Sequence, residues 1–566
     1  MAGPAGSVAV NVGEILLQKG KITADNLEEA LAARKGPTDR IDRVLVNMGF
    51  VEEHDVLEVL GEHLSIPLID LSQTEVDVEM LRAMPNKLVH RRGLIPIERT
   101  SDTLRVATSD PFDMYAFDEL RMMTGLKVEP VLAIQSEIDR IVKKHYGVGG
   151  DTVGEMIEET DDFEIVSDSV DENGDIIEMA QEASVVRLVH EILEEAINER
   201  ASDIHIEPYE NDLKIRYRVD GVLHNTNVPQ QIRRFQAAII SRIKIVSNMN
   251  IAEKRMPQDG SFKVTFKGRE IDFRVSVIPT AFGEGVVLRI LDKQMSLVEL
   301  SELGMGERLL ENFRRLIAQP HGIILVTGPT GSGKTTTLYA SLKEIVSDEI
   351  KILTIEDPIE YVLEGVNQVQ VLRKIGLDFA RALRSFLRHD PDVVLVGEIR
   401  DAETAEVAIN ASLTGHLVFS TLHTNDAATA PTRMLDMGIE PFLISSSLEG
   451  VMAQRLVRRI CPDCKEAYEP DPAALPPDFP YQPGQPLYRG TGCRKCLNTG
   501  YVGRVGVYEL LLMNEEIREL IVQRSSASKL LEVARRHGLM LLREDGFEKA
   551  AKGQTTIEEV MRVTRS

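Results

Sequence analysis

Tryptophan is absent from this chain, and aromatic residues make up only 5% of it. That leaves little from which to build the stacking platforms on which proteins lay single-stranded nucleic acid. Basic residues are also outnumbered: 65 Lys and Arg face 89 Asp and Glu, a formal net charge of −24. Neutralising DNA phosphates needs cations, so the balance argues against a general DNA binder, and no nucleic-acid partner is expected. No apolar run approaches the ~20 residues that cross a bilayer. The opening residues Met1 to Gly6 lack the basic and apolar regions of a signal peptide. The expectation is a soluble, intracellular protein whose membrane role is peripheral. Cysteine is scarce too, and four residues in two close pairs are too few for a disulfide framework.

At 566 residues the chain is too long for one core, and three or four domains are expected. Hydrophobic and charged contents of 43% and 27% are ordinary for a globular protein. The most informative stretch is Gly328, Pro329, Thr330, Gly331, Ser332, Gly333, Lys334, Thr335 and Thr336. It follows the apolar run Gly322–Thr327 and opens a helical pattern, the context that makes G-x-x-x-x-G-K-T a phosphate-binding loop. Its glycines let backbone N–H groups curl round an anion, and the helix start adds the positive end of its dipole. Lys334 is expected on the β- and γ-phosphates of ATP and the Thr335 hydroxyl on Mg²⁺.

Along the chain, residues 11–65 hold a weak repeat. Leu16, Gly20, Ile22, Leu27 and Leu31 return 29 residues later as Leu45, Gly49, Val51, Val56 and Leu60. Each copy reads as helix, glycine turn, helix, so 1–70 is expected to be a compact helical module. Alternating strands at Leu94–Glu98 and Thr103–Thr108, with helices over 113–124 and 134–146, make 71–150 a small α+β domain with Ser136 as a candidate cap. Residues 151–182 carry thirteen acidic and no basic side chains, which reads as a self-repelling linker. Residues 183–300 show helices over 185–200 and 230–246 and five alternating strands, a sheet with one wet face from which Arg216, Arg218, Arg274 and Arg289 project. Residues 301–566 alternate strand and helix around the phosphate loop, implying a parallel sheet covered on both faces. Within them, 455–510 holds Cys461, Cys464, Cys493 and Cys496, two C-x-x-C knuckles 28 residues apart that predict a structural Zn²⁺ site. The tail is helical, punctuated by Gly538, Gly546 and Gly553.

In a parallel sheet the chemistry belongs at the carboxyl ends of the strands. Glu398 follows four apolar residues, the position of an acid that holds Mg²⁺ through water. Glu356 ends the strand 352–355 and is the candidate for orienting or deprotonating the attacking water. His423 ends the strand 417–421 and is placed to sense the γ-phosphate. The fold class is α/β.

These residues bring a resemblance into view. The chain resembles the secretion ATPases, the traffic ATPases of type II secretion and type IV pilus extension, strongly over 183–566 and loosely over 1–150. The resemblance rests on Ala201–Pro208 (ASDIHIEP), the phosphate loop, Thr354–Glu360 (TIEDPIE), Asp390–Glu398, Thr414–Thr424 and the paired C-x-x-C. Three phrases, Pro320–Leu325, Met437–Ser447 and Ala453–Arg458, look more like the type II members. The resemblance implies a homohexameric ring of RecA-like ATPase domains, each preceded by a PAS-like sheet domain. It implies that Arg274 and Arg289 contact the γ-phosphate and that Arg384 and Arg388 form a second pair near the site. It further implies an inner-membrane platform protein as the load, pilin-like subunits added to a pseudopilus, and a membrane-anchored assembly protein docked on the N-terminal domains. The protein is then cytoplasmic and peripheral to the inner membrane. The alternative is pilus extension; a nucleic-acid motor fits the charge less well. In some members the N-terminal repeat binds cyclic di-GMP through copies that open Arg-Leu-Gly and close with Gln. Here the copies open Asn11-Val12-Gly13 and Arg40-Ile41-Asp42 and close at Arg34 and His63. These departures weigh against cyclic di-GMP and favour docking.

Overall fold

The structure is a computed structural model and describes residues 12–34, 40–71, 74, 76, 80–81, 84, 88–89, 92–149, 152–153, 156, 183–292, 298–493 and 495–564. The chain divides into two units, residues 1–219, 223–266 and 272–290 in the first and the remainder in the second. The acidic stretch 151–182 lies outside the described residues except at Thr152, Val153 and Met156.

In the first unit the repeat folds as helices Val12–Gln18, Ala24–Ala33, Ile41–Asn47 and Glu53–Leu64. Leu16, Ala30, Leu45, Val56 and Leu60 bury against one another. The repeated glycines have a steric cause: Gly20 and Gly49 sit at φ 70° and 76°, where a side chain would strain the turn. A three-stranded sheet follows, β1 (Ile95–Arg99), β2 (Thr103–Thr108) and β3 (Lys127–Leu132), with β1/β2 antiparallel and β2/β3 parallel. The crossover helix Met114–Thr124 is capped by Asp113 and stopped by left-handed Gly125. Ser136 is not the cap of the next helix, which starts at Gln135. The Glu53 carboxylate, from the last helix of the repeat, accepts the Gln135 N–H at 3.0 Å instead. Beyond the helix Ala183–Asn198 lies a six-stranded sheet of order β6-β5-β4-β9-β8-β7. Its strands are β4 (Ala201–Pro208), β5 (Leu213–Val219), β6 (Val222–Asn225), β7 (Gln258–Phe266), β8 (Arg269–Thr280) and β9 (Gly283–Asp292). Ile271, Phe273, Val275 and Val277 of β8 point inward, so Arg274 stands on the opposite, wetter face.

The second unit is built on seven strands of order β12-β11-β13-β14-β10-β15-β18. They are β10 (Gly322–Thr327), β11 (Ile352–Glu356), β12 (Val366–Gln370), β13 (Val393–Val396), β14 (Leu417–Leu422), β15 (Leu448–Ile460) and β18 (Tyr501–Leu512). Ile323 and Leu325 of β10 enter one apolar core and Ile324 and Val326 the other, so both faces are covered. The interposed β14 between β10 and β13 gives the RecA-like order. The sheet is not wholly parallel, because β18 runs antiparallel to β15. The chain leaves β15, makes the cysteine excursion with β16 (Lys465–Tyr468) paired to β17 (Leu487–Gly490), and returns without a crossover helix, which dictates antiparallel pairing. The sheet therefore takes Arg455–Ile460 and Tyr501–Leu510, and the segment outside it runs from Cys461 to Gly500. In the helical tail Gly538 and Gly553 end helices at φ 90° and 68°. Gly546 does not: it lies inside Leu542–Ala551, where a Cβ would meet Val560 Cγ1 at 2.6 Å.

Candidate nucleotide site and cysteine cluster

β10 delivers the chain at Gly328 to a loop that needs three left-handed or extended glycines, Gly328, Gly331 and Gly333, at φ 148°, 78° and 89°. Gly333 then caps the helix Lys334–Ile345. Side chains are excluded here by contact as well as by backbone: a Cβ on Gly328 would lie 2.6 Å from Gln454 O, and one on Gly333 2.7 Å from Gln454 Nε2. The N–H groups of Gly331, Gly333, Lys334 and Thr335 have no acceptor among the described residues. The buried Ser332 Oγ and Thr327 Oγ1 likewise have no partner. A ring of unsatisfied donors on a helix start fits a phosphate group. Lys334 Nζ donates to Gly328 O at 2.8 Å and Pro329 O at 3.1 Å. Burial pushes its ammonium below the usual lysine value, and the Glu398 charge opposes that shift.

β13 and β14 place Glu398 and His423 side by side, with His423 Nε2 3.3 Å from Glu398 Oε2. The other oxygen, Oε1, pairs with Arg400, whose pKa is raised by that bond. A cavity of about 630 Å³ opens beside them, lined by Arg400, His423, Thr424, Asn425, Asp426 and Arg433 among others.

Glu356, at the end of β11, is only 4% exposed. It accepts hydrogen bonds from Tyr339 Oη, from Thr354 Oγ1 at 2.6 Å and from Gln368 Nε2 at 3.1 Å. Tyr339 stands on the helix that the phosphate loop opens, so loop and carboxylate share a support. Burial, then the bond to Glu356, drives the Tyr339 pKa up and keeps its hydroxyl a donor.

The other sequence-predicted cations are Arg384, Arg388, Arg274 and Arg289. Arg384, on the helix Phe379–Phe386, binds Glu403 at 2.7 Å, and Arg388 Nη1 donates to Arg384 O at 3.2 Å. Arg274 and Arg289 belong to the first unit, on β8 and β9. Arg289 Nε donates to Asp203 Oδ1 at 3.1 Å, and Asp203 Oδ2 accepts from Ser202 Oγ at 2.8 Å. Asp203 is thus the residue that aims Arg289.

Several site residues escaped the sequence reading: Tyr339, Gln368, Asn425, Gln454 and Arg455. The last two sit on β15, level with the phosphate loop, since Thr327 is in register with Ala453. The Gln454 amide oxygen accepts from Thr337 Oγ1 at 2.8 Å, bracing the loop helix. One signal was available: Gln454-Arg455 interrupts an otherwise apolar run from Val451 to Val457.

The four cysteines gather at one point. Sγ–Sγ distances are 3.6 Å for Cys461–Cys493, 3.8 Å for Cys464–Cys496 and 3.7 Å for Cys493–Cys496. A tetrahedron with Zn–S bonds of about 2.3 Å has edges of about 3.8 Å, so the donor set fits Zn²⁺. Backbone N–H groups of Cys493 and Gly500 point at Cys496 Sγ at 3.1 and 3.3 Å. Burial opposes ionisation of Cys496, yet those N–H groups hold its thiol down at about 7.

Two family descriptions match the chain: Type II/IV secretion system protein over residues 178–562, and MshEN domain over 64–152. Among curated relatives, the Type II secretion system protein E of Xanthomonas campestris is 42% identical over 99% of both chains. The Type IV pilus assembly ATPase PilB of Myxococcus xanthus is 42% identical over 97% of this chain and 98% of its own. The Type II secretion system protein E of Pseudomonas aeruginosa is 53% identical over 71% of this chain and 80% of its own.

Proposed function

The chain belongs to the Type II/IV secretion system protein family, and we propose that it is the ATPase that drives pseudopilus assembly and protein export in type II secretion. The observation that carries this reading is the ring of unsatisfied N–H donors around Gly331–Thr335, with Lys334 beside it and Glu398 and His423 paired at the same edge of the sheet. ATP binds with its phosphates in that ring. Lys334 leaves the carbonyls of Gly328 and Pro329 for the β- and γ-phosphates. Thr335 and Glu398 hold Mg²⁺, which offsets charge on the phosphates. Glu356 orients the attacking water once it leaves the bonds to Tyr339 and Gln368 that hold it in the free chain. His423 reports the γ-phosphate to Glu398. Arg274 and Arg289 bear on the developing charge, Asp203 keeps Arg289 in place, and Arg384 and Arg388 form the outer cation pair.

The strand order β5-β4-β9-β8-β7 supports a PAS-like reading of the arginine-bearing sheet. The chain works as a homohexamer, with Zn²⁺ held by Cys461, Cys464, Cys493 and Cys496. Its load is an inner-membrane platform protein, and a membrane-anchored assembly protein docks on its N-terminal domains. On its kinship with the type II secretion proteins we place the protein in the cytoplasm, peripherally at the inner membrane; among the described residues no helix is long and apolar enough to cross a membrane. Full-length similarity to a pilus assembly ATPase supports pilus extension as the second reading. The test is ATP hydrolysis by the purified hexamer combined with complementation of secretion-null and pilus-null strains. Restored secretion supports the first reading, restored piliation the second, and absence of ATP turnover refutes both.

A further inference from the structure

Burying a cation costs several kcal/mol unless a counter-charge or good hydrogen bonds offset it, so a buried cation calls for a partner. Three are buried among the described residues: Lys244 at 0% exposure, Lys549 at 5% and Arg455 at 8%. Lys244 is paired with Glu284 and Lys549 with Asp545. Among the described residues no carboxylate oxygen lies within 4.0 Å of the Arg455 nitrogens. Its partners are neutral oxygens: Nη1 donates to Gln454 O at 3.0 Å, and Nη2 donates to Asn425 O at 2.8 Å and to Asn425 Oδ1 at 3.2 Å. Of the five N–H bonds of a guanidinium, one on Nη1 and the one on Nε are left over.

The place of this unneutralised charge is specific. Arg455 Nη1 lies 3.1 Å from where a Cβ on Gly328 would stand, against the first residue of the phosphate loop. Its field reaches the loop lysine: after burial, Arg455 is what pushes the Lys334 ammonium down, against the pull of Glu398. Burial likewise lowers the Arg455 pKa itself, and the more distant Asp426 and Glu509 only partly compensate. Two cations therefore converge on a loop that carries unsatisfied donors and no anion of its own.

We propose that Arg455 is a phosphate-binding residue, a buried cation whose counter-charge is the triphosphate of the nucleotide in the Gly328–Thr335 loop. This deepens the nucleotide reading and rests on it. Arg455 also joins the phosphate loop to the loop after β14 through Asn425, two residues from His423, so charge arriving at the first is felt at the second.

The experiment compares the full-length wild type with Arg455→Met, which keeps length and removes charge, and Arg455→Lys, which keeps charge and removes the fork. Calorimetric titration with MgATP is read beside the melting temperature without nucleotide. Arg455→Met is expected to lose about tenfold or more in affinity while melting no lower than wild type, since a costly buried charge has been removed. Arg455→Lys is expected to fall between the two in affinity. A purely structural tether predicts the reverse, a lower melting temperature with affinity retained. Affinity within about twofold of wild type for Arg455→Met, equal loss in the Met and Lys variants, or stability falling in step with affinity each overturns the proposal. Wild-type protein that binds no MgATP would take down both this proposal and the nucleotide site. Undiminished binding by Lys334→Ala beside weakened binding by Arg455→Met would remove Lys334 and leave Arg455 standing.

Discussion

Replacing Cys461 and Cys493 with Ser takes one thiolate from each knuckle and with them the Zn²⁺. In isolated zinc-finger peptides the metal contributes about 10–16 kcal/mol of apparent binding energy, an upper bound here because the segment has other anchors. Ile460 N–H reaches Gln554 O and Cys461 N–H reaches Gly500 O, both at 2.9 Å. What the metal secures can be followed outward. Phe479 and Leu487 of the excursion are buried against Phe547, Ala550, Ile557 and Val560 of the last two helices. Phe479 meets Phe547 edge-on, with ring centroids 5.1 Å apart. Burying each large apolar side chain contributes about 2 kcal/mol and the aromatic pair about 1 kcal/mol. Release of the excursion thus withdraws about 5 kcal/mol of support from helices Leu542–Ala551 and Ile557–Val563. Hydrogen exchange on zinc-loaded protein and the double variant, with metal analysis, reads this directly. Amides of 461–500 and 542–563 lose protection together, while those of β10 and the helix Lys334–Ile345 keep theirs. A wild-type protein without zinc refutes the metal assignment. Equal loss of protection in β10 and the helix Lys334–Ile345 refutes the argument that the damage travels through Phe479 and Phe547.

Three further outcomes are expected. Lys334→Ala and Glu398→Gln should each lower ATP turnover at least about a hundredfold without moving the melting temperature by more than a few degrees, and wild-type turnover in either removes that residue from the site. Asp203→Asn should loosen Arg289 and lower kcat while leaving ATP affinity near wild type; a kcat equal to wild type would show that Arg289 needs no such hold. Acid should loosen the C-terminal helix: burial works against the Glu559 carboxylate, but Arg562 and Arg458 hold it at about 2. A depressed folded pKa contributes stability above the unfolded value of about 4.5 and loses it as pH falls towards 2, here about 3 kcal/mol. Chemical denaturation across that window should be flatter for Glu559→Gln, and identical slopes would sink the linkage.

How far the sequence could be read depended on how local each cause was. The helix Met114–Thr124, capped by Asp113, and the strand Thr103–Thr108 are found where the pattern over 113–124 and the alternation predict them, because apolar spacing and capping act within a few residues. The phosphate loop was legible for the same reason, its glycines and lysine forming one contiguous device. The β15–β18 pairing was not: nothing near Leu448 announces a partner about fifty residues on, beyond a cysteine excursion. Gly546 looked like punctuation because a glycine in sequence does not say whether it frees a turn or admits Val560. Ser136 looked like a cap because the residue that does that work, Glu53, lies 82 positions away.

The same distinction separates the two kinds of site residue. Glu356, Glu398 and His423 announce themselves by ending apolar strands, where a topology rule assigns chemistry. Tyr339, Gln368, Asp203 and Arg455 act through partners distant in the chain, and their roles appear only when charge and hydrogen bonds are counted in three dimensions. Glu356 shows what that count adds. A carboxylate satisfied by three donors and closed off from solvent is held in one orientation. Its work in the free chain is to be fixed, so any movement that lets it meet water must first break its bonds to Tyr339, on the phosphate-loop helix, and Gln368, on β12. Tyr339 thereby couples the loop that binds phosphate to the carboxylate proposed to act on it. Tyr339→Phe should therefore alter kcat while leaving ATP affinity close to wild type, and a change in affinity alone would place Tyr339 outside that coupling.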